Sequence, residues 1–170
     1  MNTVLPQKAA ILLVEDRSDD VALARRAFRE LNLRNPFHVV SDGEEALAYV
    51  TGQGIYADRT RYPLPDIMLL DLKLPKLDGF ELLGQIRKMP DLNPMRIIVL
   101  TSSEDIYDVN RAYALGANSF LVKPQDFSDF STLIRTLSAF WLHTNKMVSL
   151  DGVDVQQPAT ARSNPSWPIA

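Results

Sequence analysis

The feature that most constrains the fold is a series of short apolar runs, each three or four residues long. The nearly continuous runs are Ile11 to Val14, Ile67 to Leu70, Ile97 to Leu100 and Phe120 to Val122, and a weaker run spans Phe37 to Val40. An unbroken apolar run has no polar face, so this pattern predicts strands that are buried on both faces. Such strands need a layer of helices on each side of their sheet.

Amphipathic segments with helical spacing separate these runs. In the two clearest segments, apolar residues recur every three or four positions, which predicts helices that cover the sheet. The positions are Val21, Ala24, Ala27, Phe28 and Leu31 in the first segment, and Phe80, Leu83 and Ile86, followed by Arg87, in the second. Alternating strands and helices favour parallel strands joined by right-handed crossovers. We expect an α/β fold, a flavodoxin-like doubly wound sheet of five strands in the order 2-1-3-4-5 with five helices.

Local residues support these helix positions. Asp42 is placed to cap the second helix, with Glu45 completing a capping box, and Asp105 is placed to cap the fourth. The last helix is predicted from about Phe127 to His143, with an apolar stripe that faces mostly the core. Trp141, near its end, is a candidate contact for another subunit.

The length of the chain predicts one domain. A chain of 170 residues with 46% hydrophobic composition is long enough for one core and short for two. We place the domain at residues 9–144, between an N-terminal extension, 1–8, and a tail, 145–170. The tail contains a hairpin pattern around Asp151-Gly152, which predicts either an arm that packs on another chain or a disordered segment. The tail is too short for a second domain, so we expect the protein to act through contact with another protein, through a change in dimerisation or in a relay role.

Composition argues against several classes of function. The chain has 18 basic and 21 acidic residues, a net charge of -3, so no overall positive field draws it to nucleic acid. Cysteine is absent, which excludes disulfides and thiolate metal sites. No signal peptide or bilayer-length apolar stretch is present. We therefore expect a soluble cytoplasmic protein that binds neither nucleic acid nor membrane.

Polar residues of distinctive type follow four of the apolar runs. Glu15-Asp16 follows the first, Asp71 the third, Thr101 the fourth and Lys123 the fifth. The carboxyl ends of parallel strands meet at one edge of a sheet, so these side chains are predicted to converge. Singly, each has an ordinary explanation as a solvated carboxylate, a capping residue or a loop lysine. Their joint position at one edge favours a functional site.

Crowded carboxylates predict a metal site. They repel one another, and a hard divalent cation with oxygen ligands relieves that repulsion, for which Mg²⁺ is the best fit. Beside such an ion, Asp71 is a candidate nucleophile toward phosphorus. Lys123 supplies a point charge for the carboxylate or for a phosphoryl oxygen, and Thr101 supplies a hydroxyl donor.

These residues resemble the receiver domain of bacterial two-component systems. The resemblance covers about Ala9 to His143. The motifs that carry it are Ile11-Leu12-Leu13-Val14-Glu15-Asp16, Leu69-Leu70-Asp71-Leu72-Lys73-Leu74-Pro75, Asp78-Gly79, Val99-Leu100-Thr101-Ser102 and Lys123-Pro124. The resemblance implies that Glu15 and Asp16 hold Mg²⁺ together with Asp71 and the backbone carbonyl of Lys73, and that Asp71 is phosphorylated.

The same resemblance implies a switch. Thr101 and Lys123 would contact the phosphoryl group, and Phe120 occupies the position of the family's aromatic switch residue. The bond between Lys123 and Pro124 would be cis, as the family's turn requires. Phosphorylation would then alter the surface formed by helix 4, strand 5 and helix 5.

The resemblance also implies a role and partners. The chain looks like a single-domain response regulator that takes phosphate from a histidine kinase and acts as a signalling protein, with only self-catalysed phosphorylation and dephosphorylation. A long loop over residues 52–65, an extended last helix and the missing output domain resemble the regulators that partner phytochrome-type kinases. Homodimerisation through the switch surface or the tail is the family expectation.

Three other classes fit less well. A phosphatase with an aspartate nucleophile needs a second aspartate two residues on, where this chain has Lys73. A binding module that lost the chemistry would have replaced some of the acceptor, metal or lysine positions, and none is replaced. Dinucleotide binding needs a glycine-rich loop where Glu15-Asp16-Arg17-Ser18 stands.

Overall fold

The five apolar runs become the strands of one parallel sheet in a computed structural model that describes residues 9–144. The strands are β1 (Ile11–Val14), β2 (Phe37–Val40), β3 (Ile67–Leu70), β4 (Arg96–Thr101) and β5 (Ser119–Val122). Their order is β2-β1-β3-β4-β5, which confirms the predicted topology. Val14 is paired with Val40 on one side and with Leu70 on the other, so the strand ends that carry the candidate residues lie level along one edge.

In the described part of the chain, five α-helices connect and follow the strands. They are α1 (Ser18–Glu30), α2 (Gly43–Thr51), α3 (Gly79–Arg87), α4 (Ile106–Ala114) and α5 (Phe127–Ser138). Two short 3-10 helices, Gly54–Ala57 and Pro90–Leu92, lie in the connections. The last helix was predicted to continue to about His143; its α-helical part ends at Ser138, and a π-helical segment, Ala139–Thr144, follows.

Successive strand residues point to opposite faces, so the sheet separates two apolar clusters. Leu12 and Val14 face the cluster that includes residues of α2 and α3, while Ile11 and Leu13 face the one that includes residues of α1 and α5. In α5 the predicted stripe is mostly core, with Phe130, Ile134 and Leu137 buried. Phe140 is the exception and is 52% exposed.

The depth of burial differs between central and edge strands. All residues of β1 and β3 are buried, as the apolar runs predicted. The same prediction for β5 was wrong, because within residues 9–144 β5 pairs only with β4 and is an edge strand. Val122 is 38% exposed and Phe120 is partly buried.

Both predicted helix caps are present. The Asp42 carboxylate accepts from the Glu45 N–H (2.7 Å), and the Asp105 carboxylate accepts from the Tyr107 N–H (2.8 Å). In a capping box the Glu45 carboxylate would accept from the N–H of Asp42. It accepts instead from the N–H of the preceding residue, Ser41 (2.9 Å), so the predicted capping box is not formed. These bonds satisfy amide groups that a helix start leaves without partners.

The loop over residues 52–65 packs against α2. Its Arg59 guanidinium donates to the carbonyls of Tyr49 (2.8 Å) and Val50 (2.9 Å) near the end of that helix. Tyr56, also in the loop, is buried and donates its hydroxyl to Glu45 (2.6 Å). The loop therefore satisfies helix-end carbonyls and covers part of the core.

His38, on edge strand β2, is expected to make stability pH-dependent. The centroid of its ring lies 5.8 Å from the ring centroid of Tyr49 and 5.7 Å from that of Tyr62. Burial, with a smaller contribution from the Arg25 charge, holds the pKa of His38 below its ordinary 6.5. As pH falls, His38 therefore takes up its proton first in the unfolded chain. The free energy of unfolding falls between the pKa of His38 in the unfolded chain and its lower pKa in the folded protein.

The measurement is the free energy of unfolding by urea at several pH values between about 7.5 and 5. We expect the wild type to lose more stability over this range than His38→Gln, whose side chain does not titrate. Parallel pH profiles for the two proteins would contradict the prediction.

The extension 1–8 and the tail 145–170, including the predicted hairpin, lie outside the described residues. The predictions for these segments therefore stay predictions. Within residues 9–144, no helix combines the length and apolar character that a bilayer crossing requires.

Candidate functional site

The strand ends bring a lysine against three carboxylates. The Lys123 ammonium, just after β5, lies 2.6 Å from Glu15 Oε2 and 3.0 Å from Asp71 Oδ2, at the ends of β1 and β3. Its third partner is Asp20 Oδ2, at 2.9 Å, in the first turn of α1. The predicted convergence of Glu15, Asp71 and Lys123 is therefore observed in the structure.

This cluster is largely shielded from water. The exposed fractions of the side chains are 9% for Lys123, 3% for Glu15 and 7% for Asp71. Buried charges are costly unless each is paired and hydrogen-bonded. The three donors of the ammonium match the three carboxylate oxygens around it, so the lysine is fully satisfied.

Burial and neighbouring opposite charges act in opposite directions on the pKa of Glu15 and on that of Lys123. Burial raises the pKa of the Glu15 carboxyl above its ordinary value, and the hydrogen bond and charge of Lys123 only partly offset it. Burial by itself would lower the pKa of Lys123. Its hydrogen bonds to Asp20 and Glu15 and the charge of Asp71 outweigh burial, so the pKa is raised and the ammonium stays charged.

The same edge offers a donor set for a cation. Glu15, Asp16 and Asp71 each supply a carboxylate oxygen, and these oxygens lie within 4.8 Å of one another. Asp16 is exposed, so the cluster is open to solvent on one side. Carboxylate oxygens are the ligands that hard divalent cations prefer, and the arrangement therefore fits such an ion. The Lys73 backbone N–H donates to Asp71 Oδ1 (3.3 Å), which keeps this residue beside the cluster.

Thr101 ends β4 and is fully buried. Its carbonyl accepts from the backbone N–H of Lys123 (2.7 Å), and its hydroxyl oxygen lies 3.5 Å from the N–H of Ser103. The first of these bonds joins the ends of β4 and β5. Thr101 therefore lies at the same sheet edge as the cluster, as the sequence predicted.

The loop between β3 and α3 is anchored on α2. The Lys76 ammonium lies 2.6 Å from Asp42 Oδ2. Burial alone would raise the pKa of Asp42, but the bonds from Lys76 and from the backbone N–H of Glu45 hold it below its ordinary value. Lys76 also has a positive φ of 64°, which places a sharp turn five residues after Asp71.

Asp20 is the one member of the lysine's carboxylate set that sequence reasoning missed. It does not follow a strand directly, and it was not distinguishable from its acidic neighbour Asp19. The available signal was its place in the first turn of the helix after β1, because that turn starts above the sheet edge.

A comparison with protein families identifies the family of this chain. The profile of the family described as the response regulator receiver domain matches residues 11–135. The chain belongs to this receiver family. In this receiver, Glu15, Asp71 and Lys123 lie in contact at one edge of the sheet.

Known receivers with similar sequences include Response regulator Rcp1 from Synechocystis sp. It is 36% identical over 134 residues, which cover 79% of this chain and 89% of that protein. Among solved structures, the phosphorylated cyanobacterial phytochrome response regulator RcpA aligns with a TM-score of 0.77 at 34% identity, covering 84% of this chain and 99% of that one. Response regulator RPA3017, in red light signaling of R. palustris, aligns with a TM-score of 0.79 at 33% identity, covering 83% of this chain and 99% of that one.

One prediction from the receiver resemblance was wrong. The bond between Lys123 and Pro124 is trans, and residues 9–144 contain no cis peptide bond. The lysine reaches the site without a cis turn, because its N–H is fixed to the Thr101 carbonyl and its ammonium is held by three carboxylates.

Phe120, which the resemblance predicts to be the switch residue, lies in edge strand β5 and is partly buried. Its backbone N–H donates to the Tyr113 hydroxyl of α4 (3.1 Å). Ala112 is the one fully buried residue of α4. Phe120 is thus hydrogen-bonded directly to a helix that buries one residue fully.

Proposed function

We propose that this receiver accepts a phosphoryl group on Asp71 from the phosphohistidine of a partner histidine kinase. The observation that carries the proposal is the buried Asp71 carboxylate, which lies 3.0 Å from the Lys123 ammonium and beside Glu15 and Asp16. A structural salt bridge alone does not need two further acids next to the pair. A phosphoryl acceptor needs both opposite charge and a cation site.

The chain's own residues have distinct parts in this transfer. An oxygen of Asp71 attacks phosphorus while the bond from phosphorus to the kinase histidine breaks, and the imidazole keeps the electron pair. Lys123 pairs with a phosphoryl oxygen, and the Thr101 hydroxyl donates to another. Mg²⁺ held by Glu15, Asp16, Asp71 and the Lys73 carbonyl would neutralise charge on the phosphoryl oxygens. Attack by water later releases phosphate, so phosphorylation and its reversal are both self-catalysed.

Acceptance of phosphate then changes the output surface. Thr101 is drawn toward the phosphoryl group, and the Phe120 ring turns into the space near α4. Because α4 buries only Ala112 fully, its position responds to a small change in packing. The exposed Ile106, Tyr107 and Tyr113 of α4 belong to this surface, which also includes β5 and α5.

The partner that we propose is a phytochrome-type histidine kinase, and the cell compartment is the cytoplasm. The support is similarity over 84% of this chain to RcpA, a phytochrome response regulator, and over 83% to RPA3017, a regulator in red light signaling. Both alignments cover nearly the whole of the known structure, 99% in each case.

Light-dependent transfer tests the partner. Radiolabelled phosphate on a phytochrome kinase encoded in the same genome is expected to move to this protein, with a rate that differs between red and far-red illumination. A kinase of another sensory class from the same genome serves as the control. Transfer only from that control kinase would contradict the phytochrome assignment while leaving the receiver function intact.

We also propose that the protein forms a homodimer, using the surface of α4, β5 and α5 or the tail. Val122, Ile106 and Tyr113 leave apolar surface exposed on this side of the molecule. Sedimentation of the protein before and after phosphorylation measures the association constant of each form. Monomers in both forms at high concentration would contradict the dimer.

A further inference from the structure

The position of Asp20 bears on how the site admits a cation. Its Oδ2 lies 2.9 Å from the Lys123 ammonium, a contact as short as that to the acceptor Asp71. The side chain of Asp20 is 23% exposed and also lies 3.8 Å from Arg17 Nε. Asp20 is therefore at the rim of the site, between the buried lysine and solvent.

Asp20 differs from the other two partners of Lys123. Glu15 and Asp71 belong to the carboxylate group whose oxygens lie within 4.8 Å of one another, and Asp20 does not. The ammonium and a bound cation would therefore share Glu15 and Asp71. Asp20 is the one carboxylate in contact with the lysine that the cation does not require.

From this arrangement we infer that Asp20 is a positioning residue, which keeps the Lys123 ammonium paired when Glu15 and Asp71 turn to the cation. The inference rests on the proposed function and adds a component to it. Lys123 is 9% exposed, so water cannot easily replace a lost partner. The first turn of α1 suits this role, because a helix N-terminus stabilises a negative charge.

Removing the Asp20 charge then has a defined consequence. In Asp20→Asn the ammonium keeps only Glu15 and Asp71 as charged partners, and it competes more strongly for the oxygens that hold the cation. We expect the affinity for Mn²⁺ or Mg²⁺ to fall about tenfold, a size consistent with a close charge in a partly solvated site. The conservative variant Asp20→Glu, which keeps the charge, is expected to restore most of the affinity.

The measurement is the dissociation constant of Mn²⁺, obtained from the electron paramagnetic resonance signal of the free ion. This readout needs no phosphorylation. Asp19→Asn is the matched control, because Asp19 is an exposed acid of the same helical turn with no ion pair among residues 9–144. Its Mn²⁺ affinity is expected to stay within about twofold of the wild type, since exposed charges are screened.

A double-mutant cycle separates positioning from simple charge attraction. In a Lys123→Gln background the ammonium is gone, so Asp20→Asn should change Mn²⁺ affinity by no more than Asp19→Asn does. Equal losses with and without Lys123 would overturn the inference, as would an unchanged affinity in Asp20→Asn. Circular dichroism of each variant shows whether it is folded. If Asp20→Asn does not fold, the affinity of Asp20→Glu for Mn²⁺ is compared with that of the wild type.

Failure of the inference and failure of the proposed function give different results. If the wild type binds Mn²⁺ and accepts phosphate while Asp20→Asn behaves in the same way, only the role of Asp20 is lost. If the wild type neither binds Mn²⁺ nor accepts phosphate from any donor, the proposed function itself is wrong.

Discussion

Asp71→Asn is expected to abolish phosphoryl acceptance completely. The amide has no negative charge to attack phosphorus, and it contributes a neutral oxygen where the cluster offers a carboxylate. With acetyl phosphate and Mg²⁺, the wild type should gain the mass of one phosphoryl group, and the variant should gain none. The bound group should be released by hydroxylamine, as an acyl phosphate is.

Asp91→Asn is the control for this experiment. Asp91 is exposed in the short helix Pro90–Leu92, and it makes no ion pair among residues 9–144. This variant should be phosphorylated at the wild-type rate. Labelling of Asp71→Asn at the level of the wild type would show that another residue accepts the phosphate, and it would refute the assignment of Asp71.

Gly79→Ala is expected to cause a large loss of stability. A Cβ atom at residue 79 would lie 2.4 Å from the Asp71 carbonyl oxygen and 2.6 Å from the Leu72 Cα. Both are backbone atoms, which cannot move away as the end of a flexible side chain can. We expect the free energy of unfolding to fall by about 3 kcal/mol, the upper part of the range for overpacked sites.

The consequence extends to function because the clash is with Asp71, the proposed acceptor. Displacement of the Asp71 backbone should also slow phosphorylation by acetyl phosphate. Gly84→Ala, in the same helix, is the matched control. Its added Cβ would meet only Leu115 Cδ2 at 3.6 Å, an ordinary contact.

Because alanine favours the helical conformation, the control should gain about 0.5–1 kcal/mol of stability. Urea unfolding of both variants measures the two changes. Equal stability for Gly79→Ala and Gly84→Ala would show that the loop after β3 moves freely, and it would contradict the close approach seen in the structure.

The strand positions were predictable because each apolar run is short and is followed directly by a polar residue. Strands β1 and β3 coincide with their predicted runs, and so does β2, although its run was weaker. Strand β4 extends its run by one residue at each end, and β5 extends its run by one residue at the start. The sequence did not reveal that β5 lies at an edge. Its apolar residues look like those of a buried strand, and only the sheet order shows that it has one neighbour.

The site was predictable to the extent that its residues follow strands. Glu15, Asp71 and Lys123 were expected to meet, and they do. The trans bond at Pro124 contradicted an expectation that came from resemblance, since a peptide isomer depends on the surrounding contacts and not on the dipeptide alone.

What the sequence by itself determined is the order of elements and the identity of the groups at the sheet edge. Both follow from periodicity and from the rule that parallel strands end on one side. Only the tertiary structure decided which carboxylates share the lysine and how closely Gly79 approaches Asp71. Such contacts join residues far apart in the chain, 108 positions for Glu15 and Lys123, and their distances depend on how helices pack on the sheet.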